Sequence, residues 1–215
     1  RLPGARVPLV APNLWEAGYQ DGGGYNVAAN NIDDWRVSGD THGYTDRLTF
    51  YCDEMGSNAA TWQQFCNTPY LNAKSAWDQA GATARPLPVM ATVSKAQLDF
   101  ALGQGFQVAA ALTTLTPNMR MIEASDIPDT SQQYRTWRDA DPARKFWFYS
   151  ACDSVSCNTS QPAYVVGQPT LALDQPPVSM RAPGLQAWRV GATGEYYYEA
   201  FLKFGTTAWS CVPPA

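Results

Sequence analysis

The sequence predicts an α/β fold: the C-terminal part, about strands 4 to 8, of a (β/α)8 barrel of the TIM type, preceded by a loop-rich N-terminal segment over residues 1–46. Three observations predict it. From residue 47 onward, strand and helix signals alternate, which argues for parallel strands joined by helical crossovers. The run "FQVAAALTTL" is almost continuously apolar, as a strand buried on both faces should be. No strand is followed by a glycine-rich phosphate loop of the GxGxxG or Walker A kind, which counts against the competing reading, a complete doubly wound domain with five parallel strands. A complete barrel of this type takes about 250 residues. Here the repeat starts only after residue 46, and "RLPGARVPLV" carries no initiator Met, charged n-region or apolar h-region, so the expectation is a portion of a barrel whose N-terminal half lies elsewhere.

Each element has its own signal. Residues 1–46 are rich in Gly, Asn, Asp and Pro and read as loop, with room for a short helix near 27–37. "RLTFYC" is a strand by its β-branched and aromatic content. "NAATWQQFCNTPYLNAKSAWDQAGA" has helical spacing at Trp62, Phe65 and Cys66, an interruption near Pro69, and a resumption through Leu71, Ala76 and Trp77. "RPLPVMATV" reads as a strand with its prolines at the start, and "SKAQLDFALGQG" as a helix with Ser94 as N-cap and Gly103 and Gly105 as stops. "FQVAAALTTL" gives the third strand, "TSQQYRTWRDADPARK" a helix ending before Pro142, and "KFWFYSAC" the fourth strand. "PPVSMRAPGLQAWRVGA" is a helix weakened by Pro183 and Gly184, with Trp188 expected in the core and an Asp174–Arg181 salt bridge beside it, and "GEYYYEAFLKF" is the last strand. Five parallel strands would leave two open edges, so the strands beginning at Leu48 and near Glu195 are expected to pair with material outside this chain.

Composition narrows the function. A charged fraction of 16%, a net charge of -4 and no basic run make nucleic acid an improbable partner. No apolar stretch approaches the roughly 20 residues of a membrane span. There is no CxxC, and the lone His42 sits in a polar loop far from the cysteines, so neither a metal nor a cofactor is expected. Cys152 and Cys157 are spaced for a small disulfide loop, which would imply an oxidising compartment: secreted, periplasmic or cell-surface. Five buried free thiols are the alternative.

The candidate site lies at strand ends, where a β/α barrel carries its chemistry. In "RLTFYCDEMG" a buried strand runs into Asp53 and Glu54 and breaks at Gly56. Successive strand residues point to opposite faces, so both carboxylates reach one pocket only if the strand ends or bulges there. Thr92 to Ser94, Thr113 to Thr116, Ser150 to Asp153 and Glu199 occupy corresponding strand ends. Tyr149, Tyr198 and Glu199 are the candidate substrate contacts; the aromatics also have packing as an ordinary reading.

Two blocks carry a resemblance. "DRLTFYCDE", and "KFWFYSACDSVSCNTSQPAYVV" continuing through "LDQPPVSMRAPGLQAWRVGATGEYYYEAFLKF", resemble bacterial glycoside hydrolase family 123 and related secreted glycoside-hydrolase-like proteins. The resemblance covers most of the chain and is weakest between residues 85 and 140; Met55 stands where relatives usually have Pro. It implies a β/α barrel that hydrolyses β-linked N-acetylated hexosamines with retention, through participation of the substrate's own acetamido group. Glu54 would be the general acid and Asp53 would bind the acetamido N–H; the partner is then a glycan. A carbohydrate-binding or structural relative that kept the barrel and lost turnover is the alternative. Relatives also place cysteines so that a Cys52–Cys66 disulfide would tie the acid-pair strand to the following helix.

Overall fold

The computed structural model describes residues 9–10, 37, 41, 47–79, 86–122, 129–150 and 182–197. Among the described residues, six strands form the sheet: β1 (Leu9–Val10), β2 (Arg47–Asp53), β3 (Val89–Thr92), β4 (Leu112–Leu115), β5 (Lys145–Ser150) and β6 (Gly194–Tyr197). Their spatial order is their chain order, and every adjacent pair is parallel. The chain is therefore an α/β protein with a parallel sheet, and the described strands contain no point at which the winding reverses, which a doubly wound sheet requires.

The helices follow the strands: α1 (Ala59–Trp62), a π turn (Gln63–Asn67), α2 (Thr68–Gln79), α3 (Lys95–Gly103), α4 (Gln107–Ala110), α5 (Met119–Ile122), α6 (Ser131–Asp139) and α7 (Ala182–Val190). Right-handed crossovers between consecutive parallel strands place the intervening helices on one face of the sheet. The burial pattern agrees. Trp62, Cys66, Tyr70 and Trp77 from the first helical stretch, Leu98 and Ala101 of α3, Ile122 of α5, Tyr134 and Trp137 of α6 and Val190 of α7 join Val89, Ala91, Leu115, Phe146 and Phe148 of the sheet in one core. The opposite face holds a smaller cluster of Leu48, Met90 and Trp147, with Phe50 against it.

The local signals explain most boundaries. Ser94 and Gln97 form a reciprocal capping box on α3, and Gly105 leaves that helix with φ +75. The interruption at Pro69 takes a specific form. Proline has no N–H to donate to the carbonyl four residues earlier, and the helix widens into the π turn just before it, where the Thr68 N–H reaches back to the Gln63 carbonyl. Lys95 N–H donates to the Tyr134 hydroxyl at 3.2 Å, and burial pushes that phenol up to about 12.

Four expectations are corrected. β2 is not an open edge: Leu9 and Val10, expected in a loop, pair with Arg47 and Leu48 from within this chain. A two-residue strand is too short to leave a periodic signal. The apolar run "FQVAAALTTL" is not one strand; Gln107–Ala110 is a helical turn that drops Val108 and Ala109 into the core before β4 begins. Trp188 is 82% exposed rather than in the core, because α7 turns Pro183, Gln186 and Val190 inward and leaves Leu185 and Trp188 on the other side. Cys52 and Cys66 stand as free, buried thiols instead of a disulfide. Tyr198, Glu199, His42, Asp174, Arg181, Cys152, Cys157 and the helix expected near 27–37 lie outside the described residues, apart from Val37.

Candidate active site

The acid pair is set by an irregularity in β2. Phe50 pairs with Met90 and Cys52 with Ala91, so Tyr51 is an extra residue with no partner on β3. Strict alternation would send Asp53, two and four residues after Tyr51 and Thr49, toward the helices with them. The bulge reverses that parity. Tyr51 and Cys52 both enter the helix-side core, and Asp53 comes into register with Thr92, on the face already occupied by Leu48, Phe50 and Met90. Tyr51 fills the space beside α2, its ring edge-on to Tyr70 at 5.9 Å, and burial raises its phenol far above the usual range.

Glu54 is set beside Asp53 by a different device. It has φ 47, the left-handed region that residues other than glycine seldom occupy. The strand therefore ends at Asp53 and the backbone turns, so Glu54 is not carried to the opposite face as the next strand residue would be. Its N–H donates to the Thr92 carbonyl at 3.0 Å. Two residues on, the Gly56 carbonyl accepts the indole N–H of buried Trp62 at 2.8 Å, so the turn is fixed at both ends. Asp53 is half-buried and Glu54 exposed.

The partners of the two carboxylates come from other strands. Thr92, at the end of β3, places its hydroxyl 2.7 Å from Asp53 Oδ1. Tyr149, near the end of β5, donates its phenolic O–H to Glu54 Oε1. Tyr149 is 3% exposed overall, and its backbone is held by the Pro117 carbonyl at 3.0 Å and a bridge to Asn118. On β5 the alternation puts Phe146 and Phe148 in the helix-side core and Trp147 on the acid-pair side, with Tyr149 two residues on from it.

The Tyr149–Glu54 contact has a consequence for the sheet. β2 and β5 are separated by β3 and β4, which in a flat sheet puts them roughly 14 Å apart at about 4.8 Å per strand. Side chains standing perpendicular to such a sheet would not meet. The sheet is therefore concave on the face of Leu48, Met90, Trp147, Asp53 and Tyr149, in agreement with the shared cluster of Leu48 and Trp147 across the same two strands.

Of the expected site residues, Asp53, Glu54 and Tyr149 converge, and Tyr198 and Glu199 lie outside the described residues. Thr92 was visible in the sequence only as a strand-end position; its pairing with Asp53 depends on the bulge. Among the described residues no group of His, Cys, Asp and Glu could hold a metal ion. Elsewhere Glu195 pairs with Phe148 rather than with Tyr149, so it belongs to the helix side; burial raises its carboxyl above the usual range, against a smaller opposing effect of the Ser150 hydroxyl. Comparison of the chain with protein-family models, curated proteins and solved structures finds no match.

Proposed function

We propose that this chain carries the acid pair of a β/α-barrel glycoside hydrolase that acts on β-linked N-acetylated hexosamines, with the substrate's acetamido oxygen as nucleophile. The observation that supports it best is the convergence of Asp53 and Glu54, adjacent in sequence, at the C-terminal end of parallel strands on a concave face, with Tyr149 beside Glu54. The consecutive parallel strand order and the curvature toward that face are what a barrel wall has, and the motif resemblance to family 123 supplies the substrate class.

In this reading each carboxyl has one task. Glu54, exposed at the mouth, protonates the leaving glycosidic oxygen. Asp53, half-buried and held from one side by Thr92, accepts the acetamido N–H of the sugar, aims the amide carbonyl at the anomeric carbon and stabilises the cyclic cation that forms. Water then opens that ring with Glu54 as base, which returns the proton and gives retention. No second carboxylate across the bond is required, because the nucleophile belongs to the substrate. Tyr149, itself buried, holds Glu54 through its phenolic O–H. The remaining wall of the barrel, a glycan as partner and an extracellular or periplasmic setting belong to the same proposal.

Turnover of nitrophenyl β-N-acetylgalactosaminide and β-N-acetylglucosaminide by the full-length protein, with a glycan-binding screen in parallel, tests the reading. Hydrolysis of either substrate that Asp53→Asn abolishes supports it. Glycan binding with no turnover would replace it by a non-catalytic carbohydrate-binding relative.

A further inference from the structure

Thr92 is joined to both members of the acid pair, by different groups. Its backbone carbonyl accepts the Glu54 N–H at 3.0 Å, and its side-chain hydroxyl lies 2.7 Å from Asp53 Oδ1 and 3.1 Å from the Cys52 carbonyl. The residue is 2% exposed, so water does not compete for these contacts. A threonine hydroxyl has one proton to give and two lone pairs to offer. Both of its neighbours here can accept. The Cys52 carbonyl can only accept; Asp53 only accepts when ionised, and when protonated offers one O–H donor and a weaker carbonyl acceptor. A proton on Asp53 Oδ1 and a Thr92 proton aimed at Oδ1 therefore exclude one another. With Asp53 ionised, the Thr92 proton points at Oδ1 in a charge-assisted bond, for which 2.7 Å is the usual length. With Asp53 protonated on Oδ1, the acid proton points at Thr92 and the Thr92 proton turns to Cys52; protonated on Oδ2, Asp53 keeps only the weaker bond of a neutral carbonyl acceptor at Oδ1.

We propose that Thr92 is the positioning residue of the acid pair: its hydroxyl holds Asp53 as an oriented, ionised acceptor, so that Glu54 alone carries the proton that is exchanged with the substrate. A bond to Oδ1 fixes the plane of the carboxylate, and with it the direction in which Oδ2 meets a substrate N–H. The backbone bond from the same residue sets where Glu54 leaves the strand, so the spacing of the two carboxyls is determined by one residue of the neighbouring strand. The role of Thr92 in orienting Asp53 for an acetamido N–H rests on the hydrolase reading; its effect on the Asp53 proton does not. Among the described residues, the titratable groups near Asp53 include Cys52 and Glu54 beside it in the chain, Tyr149 of β5 against Glu54, and, behind the strand, Cys66 of the π turn against Cys52.

The test uses the full chain labelled with carboxyl-13C aspartate, with Asp53 assigned by loss of its signal in Asp53→Asn. Thr92→Val keeps the β-branched shape and removes the hydroxyl; Thr92→Ser keeps the hydroxyl. The expected result is that the Asp53 resonance titrates at higher pH in Thr92→Val than in the wild type, and returns toward the wild-type position in Thr92→Ser. A Thr92→Val titration that coincides with the wild type overturns the proposal, as does a shift that Thr92→Ser fails to reverse. On acetamido substrates, Thr92→Val should lower kcat about 10- to 100-fold with a smaller change in KM, the loss expected for one hydrogen bond to a charged group, and should move the acidic limb of the pH profile upward. If the wild type turns over no substrate, the hydrolase reading fails while the titration still decides the role of Thr92.

Discussion

At the residue scale, Glu54 is where this chain accepts a local cost. A left-handed conformation costs an L-residue roughly 1–2 kcal/mol, and such strain gathers at functional positions. Glu54→Gly removes that cost and gives back about 0.4–1 kcal/mol through the greater freedom of glycine in the unfolded chain. At the open mouth, water can take the Tyr149 hydroxyl once Glu54 is gone. Urea unfolding of Glu54→Gly should therefore show stability unchanged or higher by up to about 1.6 kcal/mol; a loss of about 1 kcal/mol would mean the left-handed turn is not strained in solution. Glu195 makes a second prediction at this scale. Burial raises its folded-state pKa, so between the unfolded and folded values the folded state binds more protons, and stability falls as pH rises through that range. Glu195→Gln should be more stable than the wild type at pH 7, with the advantage vanishing as pH falls below the ordinary carboxylate range. An advantage that persists undiminished in acid would place its origin in packing instead. At this scale the sequence shows the polarity of Asp53 and Glu54 and their place at a strand end. The bulge at Tyr51 and the positive φ at Glu54 are not legible there, because neither leaves a compositional mark: Tyr is a common strand residue, and glutamate is not a residue that announces a left-handed turn.

At the element scale, β2 and the helical stretch after it act as one unit. Trp62 on α1 donates to the Gly56 carbonyl at 2.8 Å and stacks on Phe106, which pins the turn that carries Glu54. Trp62→Phe keeps an aromatic ring and removes that bond, and because Gly56 is exposed water can take up its carbonyl; the change should cost about 0.5–1.5 kcal/mol of stability and reduce turnover more than binding. Equal activity with equal stability would show that the turn is held by other contacts. Behind the same strand, Cys52 and Cys66 touch inside the core, and burial, with the Cys66 thiol second, pushes the Cys52 thiol well above its usual range. A buried thiol of this kind is inert. Both should resist iodoacetamide at neutral pH in the folded protein and react fully once it is unfolded; rapid labelling of either in the native state would contradict the burial. Legibility at this scale followed signal length. The Ser94 cap, the helix over Ser131–Asp139 and the strand over Lys145–Ser150 were all readable, since each combines a periodic run with a start or stop residue. The two-residue β1 was not, and the helical turn at Gln107–Ala110 was absorbed into an apolar run, because a short buried helix and a short buried strand look alike in hydrophobicity. Trp188 is the opposite case: its residue type points to the core, while the phase of α7 places it outside.

At the scale of the whole molecule, the order of parallel strands and the curvature of the sheet make the site. Neighbouring strands that follow chain order keep the helices together on one side and leave the other side to Leu48, Met90, Trp147 and the acid pair. The alternation of strands and helices was legible from composition and period, and so was the parallel sheet. Which side each strand residue faces was not, since two register shifts, at Tyr51 and again where Met90 pairs with Thr114 and skips Thr113, decide it. The account as a whole stands on Glu54 as a proton donor to a glycosidic oxygen. The most direct measurement compares Glu54→Gln with wild-type full-length protein on two β-N-acetylhexosaminides, one with an alkyl leaving group that needs a proton and one with a dinitrophenyl group that does not. The account predicts a loss of about 10²–10⁴ in kcat/KM for the alkyl glycoside and little loss for the dinitrophenyl one. Equal losses on both, or none on either, would contradict it.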